Sequence, residues 1–159
     1  MPEGANAATE LSLEHAEIER LTVRIADLAP STERTSLVRE AAARFVAHAE
    51  AEERHLYPAL RRFLPDGEIE AVEQARRQHA VARIVETIER TDEFDATFDA
   101  LVTQLVINIQ RHIEQQDSVL LPALIDGCPL EEINQLGRQL RHDLRAAQDD
   151  AEDGSDWKM

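Results

Sequence analysis

The sequence has little of what stabilises or identifies several large classes of protein. Its single cysteine, Cys128, cannot form a disulfide within the chain, and it contains only five glycines and six prolines. Aromatic residues make up 4% of the chain, and runs of β-branched or aromatic residues long enough for strands are scarce. No apolar stretch approaches the about 20 residues of a membrane-spanning helix. These absences argue against a disulfide-stabilised fold, a β-sheet protein and an integral membrane protein.

Positive charge is also scarce. The chain has 17 Lys and Arg against 32 Asp and Glu, which gives a formal net charge of −15. A surface this acidic repels phosphate backbones and anionic lipid headgroups, so we expect no nucleic-acid partner and no membrane partner. The segment Met1–Gly4 lacks the basic and then apolar pattern of a secretion signal. We therefore expect a cytoplasmic protein.

What the chain does have is helix-forming residues in a helical pattern. Ala, Leu, Glu, Arg and Gln dominate, and apolar residues recur with the 3.6-residue period of an amphipathic helix. The pattern predicts helices over residues 8–28, 31–63, 68–90, 95–125 and 130–147. Short connections imply antiparallel neighbours, so we predict an all-α protein, an up-down four-helix bundle with an additional C-terminal helix packed outside. Residues 1–7 are predicted to be a disordered N-terminus, 8–147 the helical bundle and 148–159 an acidic C-terminal tail.

An ungapped internal repeat with an offset of 64 residues aligns the histidines. The matched positions are His15 with His79, His48 with His112, Glu52 with Gln116, and Pro58–Leu60 with Pro122–Leu124. Two helix pairs of one design would bring all four histidines towards the centre of the bundle. Chance alignment of two helices rarely matches two histidines and a Pro-Ala-Leu segment in one register.

The spacing within each copy suits a metal site. His48 and Glu52 are four residues apart, as are His112 and Gln116, so each pair shares one face of its helix. A lone histidine in an apolar stripe is usually a hydrogen-bonded core residue, but four in repeat register favour metal binding. Imidazole and carboxylate ligands without a thiolate suit iron, manganese or zinc.

Over residues 8–147 the chain resembles the hemerythrin-like, or HHE cation-binding, domain family. The matching pieces are Glu14-His15, His48 through Pro58, Gln78-His79, and His112 through Pro122. The resemblance implies an up-down four-helix bundle that holds two irons, bridged by carboxylates and by an oxo or hydroxo group. It implies that His15 and His48 serve one iron, that His79 and His112 serve the other, and that Glu52 bridges them.

Two departures from the family pattern concern the second iron. Oxygen-carrying hemerythrins have a further histidine four residues from the first in the third helix, where this chain has Ala75 and Arg83. The second bridging carboxylate could come from either of two neighbouring positions. On an ideal helix Gln116 lies about 40° from His112 and Asp117 about 140° from it, so geometry favours Gln116 while charge favours Asp117. We expect Gln116 to face the metal, with Asp117 as the alternative.

Together with these residues, the resemblance implies a non-heme, di-iron protein that binds or senses dioxygen, nitric oxide or peroxide. A weak peroxide-consuming activity and a protein partner are both compatible with it, but no substrate pocket is legible, so the sequence leaves open whether the protein is an enzyme. One alternative is a metal-stabilised regulatory or interaction module without chemistry. Another is a bundle that has lost its metal, for which Gln116 is the best evidence.

Overall fold

Every regular element of the described part of the chain is a helix. The computed structural model describes the backbone of residues 6–156 and the side chains of residues 6–149. The elements in chain order are α1 (Ala7–Asp27), α2 (Thr32–Ala51), a π turn π1 (Glu52–Leu56), α3 (Tyr57–Phe63), α4 (Gly67–Glu89), α5 (Ala96–Gln115), a second π turn π2 (Gln116–Leu120), α6 (Leu121–Gly127) and α7 (Leu130–Asp156). The all-α prediction is confirmed.

Side-chain caps explain where three of the helices begin. The Asn6 side chain accepts a hydrogen bond of 2.9 Å from the backbone N–H of Thr9 at the start of α1. Ser31 and Asp95 cap α2 and α5 in the same way. The N-terminal boundary was therefore predicted too late, because Asn6 is a cap and Ala7 is a buried helical residue. The other residues of the predicted disordered segment, 1–5, lie outside the described residues.

The bundle is up-down, with an additional helix on its outside. The helix α1 packs against α2 and α5, and α4 packs against α3 and α5. The last helix, α7, lies against α1 and α2. It continues to Asp156, well into the segment predicted as an acidic tail from residue 148, and no proline interrupts this stretch. None of the helices described here is long and apolar enough to cross a membrane.

A layer of buried polar side chains divides the apolar interior into two clusters. On α1, for example, His15 stands between Leu11 of one cluster and Ile18 of the other. The polar layer consists of His15, His48, Glu52, Gln74, Gln78, His112 and Gln116. All four long helical segments of the bundle contribute to the polar layer, which makes it the candidate functional site.

Two π turns interrupt the segments that the sequence predicted as continuous helices. The N–H of Tyr57 donates to the carbonyl of Glu52, and the N–H of Leu121 donates to the carbonyl of Gln116. In each case a proline follows the donating residue, Pro58 after Tyr57 and Pro122 after Leu121. Proline within a helix lacks a donor and clashes with the preceding turn, and a wider turn accommodates it. The two π turns stand 64 residues apart, so the repeat extends to the backbone, and each begins at a residue of the polar layer.

Candidate metal centre

Five of the seven residues predicted to bind metal meet in the polar layer. His15 comes from α1, His48 from α2, Glu52 from the start of π1, His112 from α5 and Gln116 from the start of π2. Each of these residues is at most 2% exposed to solvent. Histidine and glutamate are costly to bury this deeply unless they are paired with another group or bind a metal.

His15, His48 and Glu52 form the tightest group within the layer. Each offers one ligand atom, and the three atoms lie within 4.8 Å of one another. The Nε2 atom of His48 is 2.9 Å from Oε2 of Glu52. With metal–ligand bonds of about 2.1 Å, ligand atoms at right angles around an ion are about 3 Å apart. The distance between the His48 and Glu52 atoms therefore matches that of neighbouring ligands on one ion.

The hydrogen bonding of these three groups points to the same conclusion. Within the described part of the chain, His15 Nε2, His48 Nε2 and Glu52 Oε2 are buried without a well-aligned hydrogen-bond partner. Buried polar atoms are almost always paired, so three unpaired atoms at one point call for a specific explanation. Nδ1 of His48, both ring nitrogens of His112 and Oε1 of Gln116 are also unpaired, but they are not part of this group of three atoms. A metal ion at their common focus would satisfy all three, and the residues present fit one.

Asp117 is outside this group, but its side chain hydrogen-bonds to His15, which belongs to the group. Its Oδ1 lies 2.7 Å from Nδ1 of His15, and the Asp117 side chain is 44% exposed. A carboxylate on Nδ1 keeps the proton there and leaves Nε2 free to bind a metal. Burial and the nearby His48 lower the pKa of His15 despite Asp117, which favours the neutral imidazole that a metal requires. The structure thus places Gln116 inward, as the ideal helix predicted, and places Asp117 against a metal-ligand candidate.

The prediction that His79 reaches the centre is wrong. His79 is exposed on the outer side of α4, beside Arg76 and Arg83. Gln74 and Gln78 occupy the inward positions, and they are 0% and 5% exposed. Because successive helical residues are about 100° apart, a shift of one position turns a side chain from core to solvent. The 64-residue offset therefore fails on α4 by one residue, because the inward position that corresponds to His15 is Gln78 and not His79.

Gln74 and Gln78 are the site residues that sequence reasoning missed. A signal for them was present, because they are four residues apart and belong to a stripe of buried positions on α4. That stripe is Ala71, Gln74, Gln78, Val81, Val85 and Ile88. The apolar residues Ile69 and Val72 obscured it, since both are on the exposed side of the helix.

Glu52 is the electrostatic centre of the layer. Although burial favours its protonated form, the neighbouring His48 and His112 hold the pKa of Glu52 well below its usual range. Its Oε1 accepts hydrogen bonds from the side-chain amides of Gln78 and Gln116. The Nε2 atom of His112 is 3.8 Å from the same oxygen. Glu52 is therefore an anion whose two oxygens face different surroundings.

Comparison with known proteins identifies the family. The family model described as the hemerythrin HHE cation binding domain matches residues 6–124. The chain belongs to the hemerythrin HHE cation-binding domain family. The HHE match contains the whole polar layer and ends within α6, so α7 is outside the matched segment.

Two similar proteins place this HHE domain among known structures and sequences. A crystal structure of an HHE cation binding domain-containing protein from Mycobacterium kansasii superposes with a TM-score of 0.79 at 19% identity, covering 92% of this chain and 89% of that one. It shows that the fold is shared. A protein named DNA nickase from Nostoc sp. (strain PCC 7120) is 30% identical over 95 residues, which is 60% of this chain. The matched segment is only 26% of that relative's length.

Proposed function

We propose that this HHE domain binds iron through His15, His48 and Glu52 and presents it to dioxygen, nitric oxide or peroxide. The observation that carries the proposal is the group of three buried ligand atoms within 4.8 Å of one another, without well-aligned hydrogen-bond partners among the residues described. Two imidazoles and one carboxylate, with coordination positions left open, are typical of non-heme ferrous iron. Membership of the family favours iron over manganese or zinc.

Iron at this position would supply open coordination sites and a one-electron change of oxidation state. The protein's own residues orient the ligands, offset the charge of the cation and line the site. Asp117 orients His15, and Glu52 contributes the negative charge that offsets the cation. Phe45 forms an apolar wall, with its ring centroid 5.4 Å from that of His112 and 6.2 Å from that of His48.

The burial of the site supports a small ligand. His15, His48 and Glu52 are at most 1% exposed, and apolar clusters flank the polar layer on both sides. A molecule of two or three atoms is the size such an enclosed position suits, and an organic substrate would need a cleft that reaches it. We therefore propose binding or sensing of a small oxidant or nitric oxide.

We propose no nucleic-acid partner and no membrane partner. The net charge of −15 disfavours binding to phosphate groups. The similarity to the Nostoc DNA nickase covers only 26% of that protein and therefore does not support a DNA-directed activity for this chain.

Anaerobic reconstitution with ferrous iron tests the proposed function. We expect iron to co-elute with the wild-type protein. The optical and EPR spectra of the iron-bound protein should change when nitric oxide is added, and peroxide should oxidise the bound iron. His48→Ala should lose the iron, whereas His79→Ala, which changes an exposed histidine, should keep it. Retained iron without any response to these ligands would instead indicate a metal-stabilised regulatory module. Failure of the wild-type protein to bind iron would indicate a bundle that has lost its metal.

A further inference from the structure

The two halves of the polar layer have different chemistry. On one side, His15, His48 and Glu52 direct basic nitrogen and anionic oxygen atoms at one point. On the other side, the inward residues of α4 and the first residue of π2 are all glutamines, namely Gln74, Gln78 and Gln116. In the arrangement implied by the family, this second half would hold another iron.

The glutamines are already engaged with one another and with Glu52. The amide of Gln116 donates to Oε1 of Glu52 at 3.1 Å and to Oε1 of Gln74 at 3.0 Å. The amide of Gln78 also donates to Oε1 of Glu52, while its carbonyl oxygen accepts a hydrogen bond from the Tyr57 hydroxyl. The carboxylate oxygen that would bridge to a second ion therefore accepts two N–H groups, and the carbonyls of Gln74 and Gln78 each accept a donor. Oε1 of Gln116 and the two ring nitrogens of His112 lack a hydrogen-bond partner among the described residues, but all three are neutral atoms.

The charge of this half is also unsuited to a second cation. Three amides are neutral, and His112 brings no negative charge. Asp117, the nearest candidate for a second carboxylate, is turned towards Nδ1 of His15 and is 44% exposed. A buried multivalent cation requires nearby anions to offset the loss of its hydration. Glu52 is the one carboxylate in the layer, so the charge suffices for one site.

We infer that this HHE domain binds a single iron, with His15, His48 and Glu52 as a two-histidine, one-carboxylate ligand set. The amide network of Gln74, Gln78 and Gln116 takes the place of the second ion. This inference rests on the proposed iron binding and assigns its stoichiometry.

The amide network also has a positioning role in this arrangement. Two N–H groups on Oε1 of Glu52 fix the carboxylate so that Oε2 is the oxygen directed at His48, from which it is 2.9 Å away. Glu52 would thus bind the iron through one oxygen and would not bridge. Gln78 and Gln116 act through Glu52 and are positioning residues.

Iron stoichiometry and EPR spectroscopy of the wild-type protein test the inference. We expect one iron per chain, and an EPR-active ferric form because a lone ferric ion has an odd number of unpaired electrons. His112→Ala should keep this iron, whereas His15→Ala should lose it. Two irons per chain with an EPR-silent, coupled ferric form would overturn the inference and leave the proposed function intact. Absence of iron from the wild-type protein would overturn both.

Restoring ligands in the amide-rich half provides a second test. The variant Gln74→His/Gln78→His/Gln116→Glu supplies two imidazoles and a carboxylate there, and we expect its iron content to rise from one towards two per chain. Gln104→His, at an exposed position of α5, is the matched control and should remain at one. A triple variant that is folded by circular dichroism but still binds one iron would contradict the assignment of these amides as the groups that exclude a second ion. If the variant does not fold, the wild-type stoichiometry decides the question.

Discussion

At the scale of single residues, the neighbours Gln116 and Asp117 have different environments and different partners. Gln116 is 0% exposed and hydrogen-bonds to Glu52, whereas Asp117 is partly exposed and reaches across to α1. Such a carboxylate selects the tautomer of a ligating histidine and fixes the direction of its ring. Asp117 would thus act on the proposed metal through His15, without entering the layer.

Removing the Asp117 carboxylate should weaken iron binding without abolishing it. In Asp117→Ala we expect iron affinity to fall about 10- to 100-fold, because His15 loses the group that orients its ring. Asp117→Asn retains an acceptor oxygen and should have a smaller effect. Competition with a chelator at fixed pH measures both variants, and Glu114→Ala, at an exposed position of α5 just before π2, is the control. Equal affinities for Asp117→Ala and the wild-type protein would show that the contact with His15 has no influence on the metal.

At the scale of elements, the connections between helices bring backbone atoms of two helices so close that some positions have little or no room for a side chain. Gly67 begins α4 directly against the end of the preceding helix, and a Cβ atom there would be 1.7 Å from the carbonyl oxygen of Leu60. Gly127, at the end of α6, is less confined, because an added Cβ would meet the flexible side chain of Leu64 at 2.7 Å. A backbone atom can move only with its helix, but a leucine side chain can change rotamer.

The two glycines should therefore differ in their tolerance of alanine. We expect Gly67→Ala to lower the free energy of unfolding by about 3 kcal/mol, the upper part of the usual range for overpacking. Gly127→Ala should cost less than about 1 kcal/mol, because rotation of Leu64 relieves the contact. Urea denaturation of both variants, with metal removed, gives the comparison. Similar losses in the two would mean that the Leu60 backbone yields more easily than its position in a helix suggests.

A second joint fastens α7 to π1. Asp143 of α7 lies 2.8 Å from Nε2 of His55 and also pairs with Arg54. Burial alone would raise the pKa of Asp143, but the hydrogen bonds from His55 and Arg54 outweigh it and hold this pKa below its usual value. The interaction therefore stabilises the folded state above the pKa of an unfolded aspartate, about 3.9, and the benefit is lost as the pH falls through the lower folded pKa.

Asp143→Asn tests this joint through its dependence on pH. At pH 6 we expect the free energy of unfolding to fall by about 0.5–1 kcal/mol, since pairs near the surface contribute little. The difference from the wild-type protein should shrink in acid, once the carboxylate of the folded protein is protonated. Denaturation curves across this pH range provide the measurement, with Glu86→Gln on the exposed side of α4 as control. A difference that grows in acid would have the wrong sign for this account.

At the scale of the whole molecule, the polar layer divides the interior, and the proposed metal ion would make stability depend on whether the layer is occupied. His15 and His48 belong to different helices, and together with Glu52 they form a buried group with unpaired ligand atoms among the described side chains. An ion bound by all three would connect α1 to the helical segment of α2 and π1. Such binding exists only in the folded state, because the unfolded chain does not hold the three groups together.

The iron-bound protein should therefore unfold at a higher temperature than the metal-free protein. With free ferrous iron at 100 times its dissociation constant, we expect an increase of about 2.7 kcal/mol in the free energy of unfolding. Thermal denaturation with and without a chelator, under anaerobic conditions, measures the change. His48→Ala should melt at the same temperature in both conditions. If the melting temperature of the wild-type protein is the same with and without the chelator, the bound ion is adventitious.

Much of the fold and part of the site could be predicted from local regularities. The helical period located the helices to within a few residues, apart from the end of α7, because amphipathic patterning and capping are properties of neighbouring positions. The four-residue spacing placed His48 with Glu52, and His112 with Gln116, on shared faces for the same reason. The structure brings these residues together with His15, and their binding of metal stays a prediction.

Only the tertiary structure decided which face of α4 turns inward and what each polar group meets. Ile69 and Val72 are apolar but exposed, so hydrophobicity along α4 did not distinguish the inward Gln78 from the outward His79. The contact between Asp117 and His15 joins positions 102 residues apart, which no local pattern reports. Sequence alone thus determined the helices and most of the histidine positions, because these follow from neighbouring residues. The packing of helices against one another determined the composition of the polar layer, because burial is a property of the assembled bundle.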